Sequence, residues 1–355
     1  MFLVVLLGSS AILLIVGYFC RIYWYQLNQK STVTKSHNKW TYYPAGERRA
    51  KYGIVTAGTP DRFFNFDEQP PPATYSTCMA QLYARQHGYA FFVHKDLGAV
   101  NNRSYGNCKS QQMSPWNKVA LVKQYLIDVD ILLWVDLDGF FQNFSRPLEE
   151  ALPMDVSRNP WLCRPSNATH LGRAIRDYAS NDLPGSSPPF LWLSSDVSAE
   201  YSVNVNSAVF ALRQCEMAFT FLDAVWKVGD DKHAFKRHDF LYTMKWPCKQ
   251  YWGWPWEQGG MWDVLSGKNR SYLRSTCVLP NVGVTGLNTV IDRSNDPGKN
   301  DPVVLDRNGP LIVHHPKHAA VDWMWRHIRE GSFTIADVES ICDIPMYTSH
   351  SPRRP

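Results

Sequence analysis

The chain has eight cysteines but no Cys-x-x-Cys pair, so neither a zinc ribbon nor a dithiol redox motif is indicated. A strong charge of either sign is also missing. The formal net charge of +5 is spread over 355 residues, too small and too scattered an excess to mark a nucleic-acid-binding protein. No charged residue lies between Phe2 and Cys20, a stretch long enough to cross the roughly 30 Å hydrocarbon layer as a helix. No small-x-small cleavage site follows it, which favours an uncleaved anchor over a signal peptide. Arg21, Tyr23, Trp24 and Tyr25 give the span a basic and aromatic border. With 45% hydrophobic and 14% aromatic residues, the rest of the chain has the composition of a packed globule rather than a disordered one.

Two signals disagree on orientation. Arg21, Lys30, Lys35 and Lys39 follow the span and no basic side chain precedes it, which would put the body in the cytoplasm. Opposing this, Asn102, Asn143, Asn167 and Asn269 each have Ser or Thr two residues later, the acceptor pattern for glycosylation in the secretory lumen. A lumenal body is the expectation. Beyond the span lie Cys78, Cys108, Cys163, Cys215, Cys248, Cys277 and Cys342. The number is odd, so at least one thiol is free or pairs between chains. The expected organisation is an anchor over 1–25, a polar stem over 26–50, one folded body over 51–345 and a basic tail over 346–355.

The strongest local signal is Ile131-Leu132-Leu133-Trp134-Val135 followed by Asp136-Leu137-Asp138-Gly139. Five branched or aromatic residues in a row read as a strand buried on both faces. In extended backbone, residues two apart point to the same side, so Asp136 and Asp138 are expected to aim together past the strand's carboxyl end, where open α/β sheets hold ligands. Gly139 permits a sharp turn. Two adjacent carboxylates repel. A divalent cation would offset them, since hard cations take carboxylate oxygen.

Around this strand the pattern is α/β. Tyr52 to Thr56 reads as a strand, and the following Ala57 and Gly58 offer, with Thr56, a hydroxyl and bare amides to a nucleotide, or make an ordinary loop. Tyr75 to Gln86 has helical spacing with Gly88 placed for a C-cap, and Ala90 to His94 is a second buried strand. Strand, helix, strand predicts a parallel crossover. Ser114 and Pro115 start a helix carrying Lys118 in its first turn, as a diphosphate contact or a solvated surface lysine. Tyr201 to Leu212 reads as strand, turn, strand, and Cys215 to Trp226 as an amphipathic helix. Arg173 to Tyr178 reads as a short helix. Trp246, Trp252, Trp254, Trp256 and Trp262 surround Glu257-Gln258, as a sugar-stacking wall or as core. Glu257 is a candidate acid, base or electrostatic stabiliser, or a helix-capping element. A last apolar strand ends in His314-His315, followed by Lys317. Imidazole is a common metal ligand.

The body resembles glycosyltransferase family 34, which includes fungal galactosyl- and mannosyltransferases and plant xyloglucan xylosyltransferases. The resemblance rests on landmarks in order: Tyr83 to Tyr89 (Tyr-Ala-Arg-Gln-His-Gly-Tyr), Trp116-Asn117-Lys118, Leu133 to Asp138, Val205 to Arg213, Glu257-Gln258 and Val313-His314. It implies a GT-A fold with a mainly parallel central sheet behind a single transmembrane helix, and a type II Golgi membrane protein with a lumenal catalytic domain. The implied activity is transfer of a hexose or pentose from a nucleotide-diphosphate sugar to a glycan or glycoprotein acceptor, with retention. Asp136, Asp138 and His314 would bind Mn²⁺ or another divalent cation. Lys118, Asp136 and Lys317, with Thr56, Ala57 and Gly58, would meet the nucleotide diphosphate. Asn206, Glu257 and Gln258 would face donor sugar and acceptor. Two departures stand out: Asn206-Ser207-Ala208 replaces an Asn-x-Gly turn, and His315-Pro316 replaces a Gly-Cys, which leaves His314 and His315 as alternative ligands. No nucleophile stands out, which favours a front-face mechanism. An inverting enzyme with Glu257 as base, or a glycan-binding protein without catalysis, are the rival readings. The sequence leaves a monomer, homo-oligomer or hetero-oligomer open.

Overall fold

The structure, a computed structural model, describes residues 32–35, 39–43, 50–58, 72–94, 114–154, 188–195, 205–230, 256–266, 271–279, 287–290 and 311–314. The span at 1–25, the short helix at 173–178, the tail, His315, Lys317, Trp246, Trp252 and Trp254 lie outside the described residues. Among the described residues no helix is long and apolar enough to cross a membrane.

The centre of the molecule is three parallel strands: β3 (Ala50–Ala57), β4 (Ala90–His94) and β5 (Val129–Val135). Their alternating side chains enter two cores. Ile131, Leu133 and Val135 join Ile54 on one face, while Leu132 and Trp134 join Val55 on the other. This is why the run from Ile131 to Val135 shows no polar alternation: both faces of the strand are covered. Antiparallel strands extend the sheet on both sides. β8 (Val205–Arg213) pairs with β5, and β7 (Leu191–Ser195) pairs with β8. β9 (Thr276–Leu279) runs parallel to β7 at the edge. On the other side β2 (Lys39–Tyr43) pairs antiparallel with β4, and β1 (Thr32–Lys35) with β2. These two strands fall within the stretch read as a stem. The polar residues around them hide the short β-prone run Trp40-Thr41-Tyr42-Tyr43.

Helices α1 (Pro72–His87), α2 (Ser114–Tyr125), α4 (Glu216–Asp230) and α5 (Trp256–Ser266), the short α3 (Leu148–Ala151) and α6 (Ser271–Arg274) complete the described elements. α1 packs Ala80, Tyr83 and Ala84 into one core, while α2, α4 and α5 bring Val119, Phe221 and Leu265 into the other. Gly88 ends α1 with φ of 70°, the left-handed C-cap expected from its position. Trp262 belongs to the second core with 8% exposure, so it is no part of a sugar-facing wall.

Residues 205–213 form one continuous strand, not strand, turn, strand. The expected turn appears as a register shift. Leu193 faces Phe210 while the next residue, Ser194, faces Asn206, so Ser207, Ala208 and Val209 bulge between the two registers. A second sheet orders β10 (Asn288–Val290), β11 (Ile312–His314) and β6 (Gly139–Phe141). β6 begins directly after the two aspartates.

Asn143 is a sequon that the fold has absorbed. It is 6% exposed, and its Oδ1 accepts a hydrogen bond from Ser145, 2.9 Å away. A glycan there is incompatible with this packing, so peptide mapping of the folded protein is expected to find Asn143 unmodified; an occupied Asn143 would contradict the packing. Cys215 is free, one of the two outcomes that seven cysteines beyond the span leave open, whereas Cys78 and Cys277 each take part in a disulfide.

Tyr52, Tyr83 and Tyr89 belong to the first core, with Tyr52 and Tyr89 ring centroids 5.3 Å apart. Burial, then the charges of Glu149 and Asp130, push the Tyr52 phenol up from 10.0 to about 12. The folded chain therefore keeps this proton at a pH where the unfolded chain has lost it, so stability falls as pH rises above about 10. Urea titrations at pH 9 and 11 are expected to show that fall, and Tyr52→Phe to lessen it, the remainder coming from the buried Tyr83 and Tyr89, whose phenols are also raised by burial.

Candidate active site

The carboxyl end of β5 runs straight into a tight turn. The Asp136 N–H donates to the Ala208 carbonyl at 2.8 Å, and the Gly139 N–H donates back to the Asp136 carbonyl at 2.9 Å. Asp136 and Asp138 thus share a turn and not an extended strand end. A side chain on Gly139 would come within 2.8 Å of Val135 and 3.1 Å of the Asp136 carbonyl, so the turn needs glycine at its exit.

Lys118 organises the side chains. Its helix lies over the face of the sheet that carries Trp134, and its ammonium is driven inward, with only 5% of the side chain exposed. Nζ lies 2.9 Å from Asp136 Oδ1 and 2.7 Å from Glu257 Oε1, and it donates to the Ser207 carbonyl at 3.0 Å. An ammonium has three donors, and three acceptor groups surround this one. It also sits 5.4 Å from the centroid of the Trp134 ring. Burial alone would lower its proton affinity, but Asp136 and Glu257 together reverse that and raise it. Lys118 is therefore not a solvated surface lysine: its ammonium is buried and paired with Asp136 and Glu257.

The other groups close around it. Trp134 Nε1 donates to Asp136 Oδ1 at 2.6 Å. Ser207 Oγ donates to Glu257 Oε1 at 2.9 Å, and the Ser207 N–H to Gln258 Oε1 at 3.2 Å. Asn206 is buried and its Oδ1 receives the Ala208 N–H at 2.9 Å. Glu257 is in the first turn of α5, yet its carboxylate reaches Lys118 and Ser207 rather than capping the helix. Its other oxygen, Oε2, is buried with no hydrogen-bond partner among the described residues. Asp136 keeps 29% of its side chain open. Its pKa is raised, foremost by burial and further by Asp138 and Glu257, against the opposing pull of Lys118.

Five expected site residues, Lys118, Asp136, Asn206, Glu257 and Gln258, are thus linked through Lys118 and the β8 bulge. Asp138 is held on the same turn as Asp136. The backbone of His314 is paired with Gly139, the residue after Asp138; the side chain of His314 lies outside the described residues. Thr56, Ala57 and Gly58 end β3 next to β5, all buried, with the Gly58 N–H committed to the His94 carbonyl at 3.1 Å. Only the Thr56 hydroxyl is left there without a partner among the described residues. Two contributors escaped the sequence reading. Trp134 was legible in principle, since it stands two residues before Asp136 and so shares its side of the strand. Ser207 was not, because only the bulge turns its hydroxyl and carbonyl to α5 and α2.

Residues 80–247 match the model of the galactosyl transferase GMA12/MNN10 family. The match spans the motif at 83–89, Lys118, both aspartates and the β8 bulge. It bears out the resemblance expected from the motifs, and the protein is accordingly a glycosyltransferase. No curated protein sequence matches the chain. Among solved structures, similarity extends to a glycosyltransferase involved in the glycosylation of the major capsid of PBCV-1, at 13% identity over 77% of this chain and 98% of that one, with a TM-score of 0.43. Mouse xyloside xylosyltransferase 1 gives 11% identity, 76% and 98% coverage and a TM-score of 0.35. An active-site mutant of LgtC gives 12%, 79% and 96%, with a TM-score of 0.36.

Removing the counter-ion should be costly. Lys118→Met leaves two carboxylates buried or half-buried without their partner, and loss of one member of such a network costs about 3–5 kcal/mol. Chemical denaturation is expected to show a loss of that order, whereas a surface-type lysine would show almost none.

Proposed function

We propose that this glycosyltransferase moves a hexose or pentose from a nucleotide-diphosphate sugar to a glycan hydroxyl, with a divalent cation and with retention of the α configuration. The observation that carries the reading is the convergence on Lys118 of Asp136, Ser207 and Glu257, three groups far apart in the chain, at the carboxyl end of β5.

The donor set suits a hard cation. Asp136 and Glu257 pair with the one ammonium of Lys118, and Asp138 stands on the same turn as Asp136, so negative charge is left over there. Burial first, and then the neighbouring charges of Asp138 and Glu257, raise the proton affinity of Asp136. The strand register puts the His314 backbone opposite the end of the aspartate turn, and oxygen ligands with one imidazole suit Mn²⁺. Among the described residues no three His, Cys, Asp or Glu side chains form a complete metal cluster, so the proposed set of Asp136, Asp138 and His314 includes a side chain beyond them. A cation held there would supply Lewis-acid stabilisation to the departing diphosphate.

The protein's own groups do the rest. Lys118 holds Asp136 and Glu257 in place and damps their repulsion. The Thr56 hydroxyl, buried at the end of β3 without a partner among the described residues, would be the group there that faces the nucleotide. Glu257 Oε1 is occupied by Lys118 and Ser207, which leaves the buried Oε2 to accept a hydrogen bond from a hydroxyl of the donor sugar or the acceptor. A positioned acceptor hydroxyl then attacks on the face the diphosphate leaves, as the sugar develops oxocarbenium character. The same uncommitted Oε2 favours a second reading in which Glu257 is the general base of an inverting transfer; the anomeric configuration of the product separates the two.

A Golgi lumenal setting, with the chain anchored by residues 1–25, is supported by the disulfide-bonded Cys78 and Cys277, since such bonds persist in oxidising compartments. The decisive experiment is hydrolysis of a panel of nucleotide sugars with and without Mn²⁺. Turnover of one or more donors is expected to require Mn²⁺ and to fall by about 10²-fold or more in Asp138→Asn, the scale on which removing charge stabilisation at a reacting centre acts. Unchanged turnover in that variant would remove Asp138 from the metal site.

A further inference from the structure

We infer that helix α1 is the positioning element of the Asp136–Asp138 turn, acting through Ser76 and the motif from Tyr83 to Tyr89; this rests on the metal-dependent reading above. Ser76 is 2% exposed, and its hydroxyl donates to the Gly139 carbonyl at 2.6 Å. Gly139 is the residue directly after Asp138, and its N–H is held by the Asp136 carbonyl. Both polar groups of Gly139 are therefore fixed outside the β6–β11 ladder: the N–H by the turn itself, the carbonyl by α1. That one residue also sets the register against His314. The placement of Asp138 relative to β11 thus depends on a hydroxyl that touches neither.

The end of the same helix grips the chain that leaves β6. The Tyr83 hydroxyl donates to the Arg146 carbonyl at 2.6 Å, and Gln86 Nε2 to the Phe144 carbonyl at 3.0 Å. His87 Nε2 bonds the Phe144 carbonyl at 2.8 Å. The Tyr89 hydroxyl accepts the Leu148 N–H at 2.9 Å and donates to Glu149. The Tyr83 ring stacks on Phe141 with centroids 4.3 Å apart. From Gly139 to Glu149 the chain is fastened to one rigid helix, which explains a motif that contributes no side chain to the site itself. Groups behind the ligands fix their orientation, and losing one typically weakens metal binding 10–100-fold.

The test uses the full-length protein and Mn²⁺ alone, read by the shift in melting temperature as Mn²⁺ is titrated and, separately, by the Mn²⁺ concentration that half-saturates donor hydrolysis. Ser76→Ala is compared with Thr77→Val. Thr77 is equally buried on the same helix, but its hydroxyl donates only within α1, to the Ala73 carbonyl at 2.7 Å. Both variants are expected to melt earlier than the parent without metal. Only Ser76→Ala should raise the Mn²⁺ requirement, by about tenfold in both readouts. Tyr83→Phe, which keeps the ring and loses the bond to Arg146, is expected to move it in the same direction and decides the matter if Ser76→Ala does not fold. A parent that responds to Mn²⁺ while its Ser76 and Tyr83 variants respond identically overturns the inference and leaves the proposed function standing. A parent with no Mn²⁺ response in either readout overturns both.

Discussion

A buried ammonium is what the site is built around. Taking Lys118 out of water is unfavourable, and the cost is offset only because Asp136, Glu257 and the Ser207 carbonyl meet its three donors at hydrogen-bonding distance. This balance is local and incomplete. One positive charge is paired with two carboxylates, Asp136 and Glu257, and a third, Asp138, stands on the same turn as Asp136. That unbalanced charge supports the proposal of a divalent cation at the aspartate turn.

The sheet is what lets one lysine reach so many groups. β5 delivers Trp134 and the aspartate turn; β8, antiparallel beside it, holds the Asp136 amide through Ala208 and then breaks register. Without the bulge, Ser207 would continue the alternation of a regular strand. With it, the Ser207 carbonyl serves Lys118 on α2 while its hydroxyl and amide serve Glu257 and Gln258 on α5. Irregular strands beside reaction centres commonly re-aim side chains in this way.

Much of the scaffold was legible because its signals are local. The apolar run before Asp136, the glycine after α1 and the Ser-Pro start of α2 each reflect a constraint set within a few residues. What was not legible depends on distant partners. Nothing near Lys118 distinguishes a buried counter-ion from a surface lysine, because its partners lie 18 and 139 residues away. The stretch from Val205 to Arg213 offered polar residues that suggest a turn, whereas pairing on both sides keeps it a strand. β1 and β2 were hidden by the polar composition around them, and the buried sequon at Asn143 carries the same three letters as an exposed one. The family match supports the enzyme class that the ordered motifs implied.

The pairing of β6 with β11 joins residues 139–141 to residues 312–314. During synthesis the aspartate turn leaves the ribosome long before the strand that completes its sheet, since chains emerge from the N-terminus at about 5–20 residues per second. A nascent protein therefore carries this turn and β6 with one flank bare until the C-terminal portion arrives. The candidate site is thus completed late in biogenesis, and truncation before residue 312 removes the strand that pairs with β6 even though both aspartates remain.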